Sequence, residues 1–293
     1  MRNKLVFTAV AMALGFAFVQ AWPGDWGGLG NAYAQAQSIA VKRPLKAETL
    51  NNSVSKEEVI SSDQLRIAGN NGLIVIRPGD SGKSRYSVSY NKRPFHGWDF
   101  GVFLKSSKGR DMGNTVHFDP KNGLQIHAAN RWEFKALVWA PQNIQITVIS
   151  GNGNIDIAQH NGIINAYSES GDVRIDASSG KLNVTSQSGN VSVTNSAGPI
   201  MVKAESGNVR IIGGLKGLDV RAESGDISII GSGPNCRAKT ESGNIIFSPT
   251  ALKPAQCIEA HTESGDIKVS RQWKICDQST VSLQAESGDI VIK

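Results

Sequence analysis

Gly79-Asp80-Ser81-Gly82 has the wording of the nucleophile loop of a chymotrypsin-like protease, where a histidine and an aspartate activate a serine hydroxyl. In that arrangement the histidine and aspartate precede the serine in the chain, whereas the first histidine here is His96, so the phrase reads as a turn. Gly82-Lys83-Ser84 resembles the end of a phosphate-binding loop, but the glycine required five positions earlier is Arg77. His96, His117, His127, His160 and His261 do not have metal-ligand spacing. The sequence therefore assigns no catalytic residue, no metal ligand and no cofactor site.

A second set of candidates recurs. Ser-Gly-Asp or Ser-Gly-Asn followed by Ile or Val returns along the second half, with its glycine at Gly153, Gly171, Gly189, Gly207, Gly225, Gly243, Gly265 and Gly288; the first copy reads Gly153-Asn154-Ile155. The spacings are 18, 18, 18, 18, 18, 22 and 23 residues. Tandem Gly- and Asp-rich motifs can build calcium-binding rolls. Here four of the eight corners carry Asn, which offers only a neutral oxygen, and the opposite corners read Gly180-Lys181 or Gly198-Pro199. The reading preferred is structural: glycine takes positive φ at each reversal of the chain, and Ser, Asp and Asn bond to local amides and stack into ladders.

The elements around these corners follow from the pattern of apolar residues. After each corner stands an apolar-x-apolar triplet, such as Val173/Ile175 or Ile227/Ile229, and halfway round each repeat lies a second pair, such as Leu182/Val184. Period-two alternation is that of strands. Each repeat is thus two short strands and two turns, and stacking the repeats in register joins their inward side chains into one core. The expected fold is all-β: a parallel β-solenoid of about 18 residues per coil over residues 151-293, wound right-handed and preceded by an irregular β-rich cap. Eight coils would extend about 38 Å at the usual strand spacing of ~4.8 Å.

Outward on the same strands, Glu169, Glu205, Glu223, Glu241, Glu263 and Glu286 form a row, and Lys203, Arg221, Lys239 and His261 form a parallel row two positions earlier. Opposite charges in adjacent rows favour the in-register stack. The two longer repeats carry insertions between their strands, at 248-257 and 270-280, which neighbouring coils place side by side. Cys257 and Cys276 lie in them and are expected to form a disulfide, while Cys236 replaces an inward Leu or Ile and is expected to be a buried thiol. Arg271, Trp273 and Lys274 form a candidate contact patch there, with Trp273 equally suited to covering the core.

The first half is strand-like without the repeat, as in Gln64-Leu65-Arg66-Ile67 and Leu73-Ile74-Val75-Ile76, and is expected to cap the solenoid's open N-terminal edge. Residues 35-60 read as a linker and 61-150 as the capping region. The C-terminal coil ends on Ile290-Val291-Ile292-Lys293, an edge able to pair end to end with a second copy unless Lys293 discourages it. At the N-terminus, Arg2 and Lys4 precede an uncharged apolar run, Leu5 to Val19, which has the layout of a secretory signal peptide and is short for a membrane span. Residues 1-34 are assigned to it, with cleavage after Ala34 preferred to Ala21.

Export removes cytosolic ATP and chromosomal DNA as partners and permits disulfides. The 31 basic against 25 acidic side chains are too mild an excess for a nucleic-acid binder. The excess is uneven: residues 35-150 hold 16 basic and 9 acidic groups, and 151-293 hold 13 and 15. The basic half could favour anionic polymers or lipid head groups.

Val138-Trp139-Ala140-Pro141 leading into Ile144 and Ile146, then the phased Ser-Gly-Asp-Ile and Ser-Gly-Asn-Ile phrases behind an export signal, resembles the bacterial “putative adhesin” β-strand-repeat domain of the toast-rack group. The resemblance covers residues 60-293 and implies an envelope location and a non-catalytic role in adhesion, scaffolding or envelope-stress sensing. The family has no agreed ligand and so transfers no functional residues. The function expected is an exported interaction module of the periplasm, cell envelope or exterior, binding protein or polysaccharide surface components and no nucleic acid. The alternatives are a sensor of envelope stress or cationic peptides, using the acidic row, and a carbohydrate-active β-helix enzyme using paired carboxylates.

Overall fold

A computed structural model describes residues 53–58, 64–80, 84–92, 114–119, 123–129, 132–214, 216–231, 235–248, 257–270 and 280–292, all within the unit Lys46–Lys293. The expected export signal, Cys276 and the patch Arg271, Trp273 and Lys274 lie outside these residues, as does the side chain of Cys257.

The first strands are β1 (Ser53–Glu58), β2 (Gln64–Gly69), β3 (Gly72–Pro78), β4 (Ser84–Lys92), β5 (Thr115–Asp119), β6 (Gly123–His127) and β7 (Trp132–Ala140). The repeats then supply strand pairs: β8 (Gln145–Ser150) with β9 (Ile155–Ala158), β10 (Ile164–Ser170) with β11 (Val173–Asp176), β12 (Leu182–Ser188) with β13 (Val191–Ser196), and β14 (Ile200–Ser206) with β15 (Val209–Gly213). The series continues with β16 (Leu218–Ser224) and β17 (Ile227–Ile230), β18 (Cys236–Ser242) and β19 (Ile245–Ser248), β20 (Cys257–Ser264) and β21 (Ile267–Val269), and β22 (Thr280–Ser287) and β23 (Ile290–Ile292). Two sheets result. One has twelve strands in the order β1-β4-β7-β3-β9-β11-β13-β15-β17-β19-β21-β23, the other eleven in the order β22-β20-β18-β16-β14-β12-β10-β8-β2-β6-β5. The chain is the all-β parallel solenoid that the period implies, with one member of each strand pair in each sheet.

The register also reveals coils that the repeated phrase does not mark. β2 pairs in parallel with β8 and β3 with β9, so residues 64–78 form a coil stacked directly on the first repeat. β6 and β7 pair in parallel with β2 and β3 and form another, outside it. Among the described strands only β1, β4 and β5 run antiparallel to the neighbour they are added to, and β1 and β5 are the outermost strands of the two sheets at this end. Nine strand pairs thus share one buried core, and the tenth, β22 and β23, packs Leu283 and Ala285 against its end while leaving Ile290 and Ile292 exposed.

Each inward position forms a file along the stack. In the twelve-stranded sheet one file runs Ile76, Ile157, Ile175, Val193, Ile211, Ile229, Phe247, Val269. Every member is at most 2% exposed, so the file is solvent-free over eight strands. Fully burying one such side chain contributes about 1.5–3 kcal/mol. Cys236 takes its turn in the facing file between Leu218 and Ile258 and is a buried thiol outside any disulfide.

Candidate functional site

Four surfaces carry polar side chains in register: the two corners and the two outer sheet faces. At the Ser-Gly-Asp/Asn corner, each glycine lies beneath the carbonyl of the glycine one coil earlier. A β-carbon on Gly171 would stand 2.3 Å from the Gly153 oxygen, and the same vector meets a backbone oxygen at 2.1–2.3 Å at Gly189, Gly207, Gly225, Gly243, Gly265 and Gly288, and at 1.8 Å at Gly153. The expectation of positive φ holds from Gly189 onward, but Gly153 and Gly171 lie outside that region. What all eight share is close approach of backbones, with no room for a side chain.

The next residue builds a continuous ladder. The Oδ1 atoms of Asn154, Asp172, Asn190, Asn208, Asp226, Asn244 and Asp266 each accept the backbone amide of the corresponding residue one coil on, at 2.8–3.1 Å. Asp and Asn are interchangeable in this role because both present the same oxygen. Beneath the corner, the buried hydroxyls of Ser150, Ser168 and Ser186 donate to the Gly153, Gly171 and Gly189 carbonyls at 2.8–3.2 Å, and Thr240 and Thr262 donate to the Gly225 and Gly243 carbonyls. The side chains that could have held a cation thus hold backbone groups.

The opposite corner has its own ladder, which the sequence reading missed. Gln159, Ala177 and Asn195 have φ of 51–55°, and Gly213 and Gly231 continue the same position at positive φ. Gln, Ala and Asn at this site hide the backbone requirement from any motif. Beside it, His160 is buried and its Nε2 lies 2.7 Å from the Ile144 carbonyl oxygen; burial lowers its pKa, opposed by that bond. Asn70 bonds His127 Nδ1 at 3.1 Å, Nδ2 to Nδ1. Among the described residues no group of three His, Cys, Asp or Glu side chains converges as a metal centre would.

On the eleven-stranded sheet the predicted rows exist: Lys203, Arg221, Lys239 and His261 are successive register partners. Their pairing differs from a simple match of adjacent rows. Lys239 reaches Glu263 of the next coil at 3.8 Å, but Arg221 turns to Asp219 on its own strand, with both contacts at 3.2 Å, because that carboxylate matches its two-pronged fork. Arg237 pairs with Glu259 of the next coil at 2.8 Å. Within the acidic row, burial and the neighbouring Glu205 and Glu241 raise the pKa of Glu223. Burial, followed by Glu169 and Glu205, pushes Tyr167 up to about 12.

The outer face of the twelve-stranded sheet differs in sign. Arg85 lies over the Trp139 ring at 5.6 Å from its centre, and Arg77 Nη1 meets Asp156 Oδ1 at 3.0 Å. Arg174, Arg210 and Lys268 are exposed on the strands beyond. Asp176 lies on the same face with its carboxylate bonded to Thr194 and Asn195, which lowers its pKa. These basic positions were not singled out from the sequence, since they fall on alternate strands and stand 36 residues apart where the repeat is regular, as Arg174 and Arg210 do.

Solved structures similar to this chain include a “putative adhesin” from Bacteroides fragilis, at 16% identity and a TM-score of 0.41 over 83% of this chain and 98% of that one. Another is a “putative cell adhesion protein” from Clostridium sporogenes, at 11% identity and a TM-score of 0.29 over 82% and 99%. A third is a “putative lipid binding protein” from Parabacteroides distasonis, at 15% identity and a TM-score of 0.36 over 82% and 97%. No curated protein matches the chain. The model of the family described as Toastrack DUF4097 matches residues 118–293, more than half of the sequence and all of its Ser-Gly-Asp/Asn corners, and the chain belongs to that family.

Proposed function

We propose that this protein is an exported, non-catalytic interaction module of the bacterial cell envelope, acting as an adhesin-like or scaffolding element that binds envelope or extracellular components through its outer sheet faces. The observation that carries the reading is the corner ladder. Seven Asn and Asp oxygens each accept an amide of the next coil. The corner Asn and Asp side chains, the residues that might have gathered a metal ion, are thereby engaged in holding coils together, and the outer faces are left to present side chains at strand spacing. The Leu5 to Val19 run supports export.

Cell fractionation of a tagged full-length copy, followed by pull-down from envelope extracts, tests the reading. The chain should leave the cytosol and retain an envelope or extracellular component. Retention in the cytosol, or release of new reducing ends from envelope polysaccharide by the purified chain, would overturn it.

A further inference from the structure

We infer that the outer face of the twelve-stranded sheet binds a linear acidic polysaccharide that carries a carboxylate or sulfate on every second sugar and lies across the strands along the stack. The inference deepens the proposed function and rests on it.

Arginines occupy this face at alternate strands. In the order β4-β7-β3-β9-β11-β13-β15, Arg85 is on β4, Arg77 on β3, Arg174 on β11 and Arg210 on β15. Adjacent strands are ~4.8 Å apart, so Arg174 and Arg210 stand ~9.6 Å apart in one register row, and Arg85 and Arg77 stand as far apart in a second row displaced by two residues along the strands. An extended hexose chain advances by about one strand spacing per sugar, so acids on alternate sugars laid along this row meet Arg174 and Arg210 in turn, with the head of Arg77 brought to the same row by its bond to Asp156 and Arg85 flanking it. Between the last two arginines the register places Ser192, and beyond Arg210 it places Ser228. Short hydroxyl side chains there leave a floor between the guanidinium groups and can both donate to and accept from sugar hydroxyls.

The cations are arranged to be used. Arg174 and Arg210 are exposed and neither makes an ion pair among the described residues, although Asp176, two residues along the strand and bonded to Thr194 and Asn195, acts electrostatically on Arg174. The other two are held in place: Arg85 by the Trp139 ring, and Arg77 by the Ile76 carbonyl at 2.9 Å and by Asp156 at 3.0 Å. That last bond draws the head of Arg77 toward the row that contains Arg174 and neutralises Asp156, the acidic group beside it. Guanidinium groups fixed in advance lose little freedom on binding and grip carboxylate or sulfate with two parallel bonds. Past Ser228, Ile246 is 39% exposed and offers an apolar contact to the C–H face of a sugar ring. On the opposite sheet Arg221, Arg237 and Lys239 are each paired with a carboxylate and lie beside the glutamate row, which disfavours a polyanion there.

The test is calorimetric titration of the full chain with four probes: hyaluronate oligosaccharides, acidic on every second sugar; polygalacturonate oligosaccharides, acidic on every sugar; dextran, neutral; and phosphatidylglycerol/phosphatidylcholine vesicles. Hyaluronate should bind most tightly and lose affinity with added salt, and dextran should not bind. Arg174→Ser with Arg210→Ser should lower hyaluronate affinity by about tenfold or more, since each change removes a charge-assisted contact. Lys203→Ser with Lys239→Ser on the other sheet should change nothing. Should the serine variant misfold by circular dichroism, Arg174→Gln with Arg210→Gln serves in its place. Unchanged affinity of the arginine variant, equal or tighter binding of polygalacturonate, preference for the vesicles, or no binding of any acidic polysaccharide each overturns the inference. A chain that fractionates with the envelope yet ignores all four probes defeats this inference alone; a cytosolic chain defeats the proposed function whatever it binds in the calorimeter.

Discussion

Replacing Gly225 by alanine puts a methyl group where a neighbouring coil has its backbone. The new β-carbon would stand 2.2 Å from the Gly207 oxygen, about 1 Å inside the ~3.3 Å at which carbon–oxygen contacts settle. The φ of Gly225 is +139°, a conformation that costs a residue with a side chain of order 1–3 kcal/mol. Gly207 cannot retreat, because its own β-carbon vector points at the Gly189 oxygen at 2.3 Å and its amide bonds the Ser224 carbonyl at 3.1 Å. Relief therefore requires the two coils to part, at the expense of one or two inter-coil hydrogen bonds worth ~0.5–1.5 kcal/mol each. The expected loss is about 3 kcal/mol, read as a lower urea midpoint at unchanged slope by far-ultraviolet circular dichroism. Asp226→Asn is the companion variant. It keeps the Oδ1 that accepts the Asn244 amide at 2.8 Å and should shift stability by no more than about 0.5 kcal/mol. A loss under about 1 kcal/mol for Gly225→Ala, or a loss in Asp226→Asn as large as the glycine's, would refute the close-approach argument.

At the opposite corner, Ala177 has φ of 51°, so Ala177→Gly should raise the urea midpoint by the equivalent of about 1 kcal/mol. Burial holds the pKa of His160 below its ordinary value, so the unfolded chain protonates first as pH falls through about 6.5. Stability should accordingly decline from there downward toward the folded pKa, and His160→Gln should flatten the decline in a pH series of thermal melts. Peptide mapping without reductant should recover Cys257 joined to Cys276, a closure worth roughly 3 kcal/mol for a loop of this length, while buried Cys236 should resist alkylation until the chain unfolds.

Much of the architecture was legible because an 18-residue period repeats the same three demands: a residue without a side chain at the corner, an oxygen beside it, and apolar residues at alternate positions. The coil formed by β2 and β3 was missed for a physical reason. Its corner reads Asn70-Asn71-Gly72, where Asn70 bonds the Ala128 amide and carbonyl of the coil outside it, so it meets the same backbone requirement with different residues. The excursion through β4 and β5 before β6 also breaks the period. The row of arginines stayed hidden because its members come from distant parts of the chain and meet only through strand order. Charge pairing was half legible: register predicts which rows adjoin, but the choice of Arg221 for Asp219 is a matter of fork geometry.

Thermal unfolding of the full chain in millimolar calcium and again in chelator tests most directly whether the Ser-Gly-Asp/Asn corners are held by the chain alone. The expected result is the same Tm in both, since the Oδ1 of each Asn or Asp in the ladder already accepts an amide of the adjoining coil. A Tm that climbs with calcium concentration would mean that the folded corners bind the ion, and would contradict it.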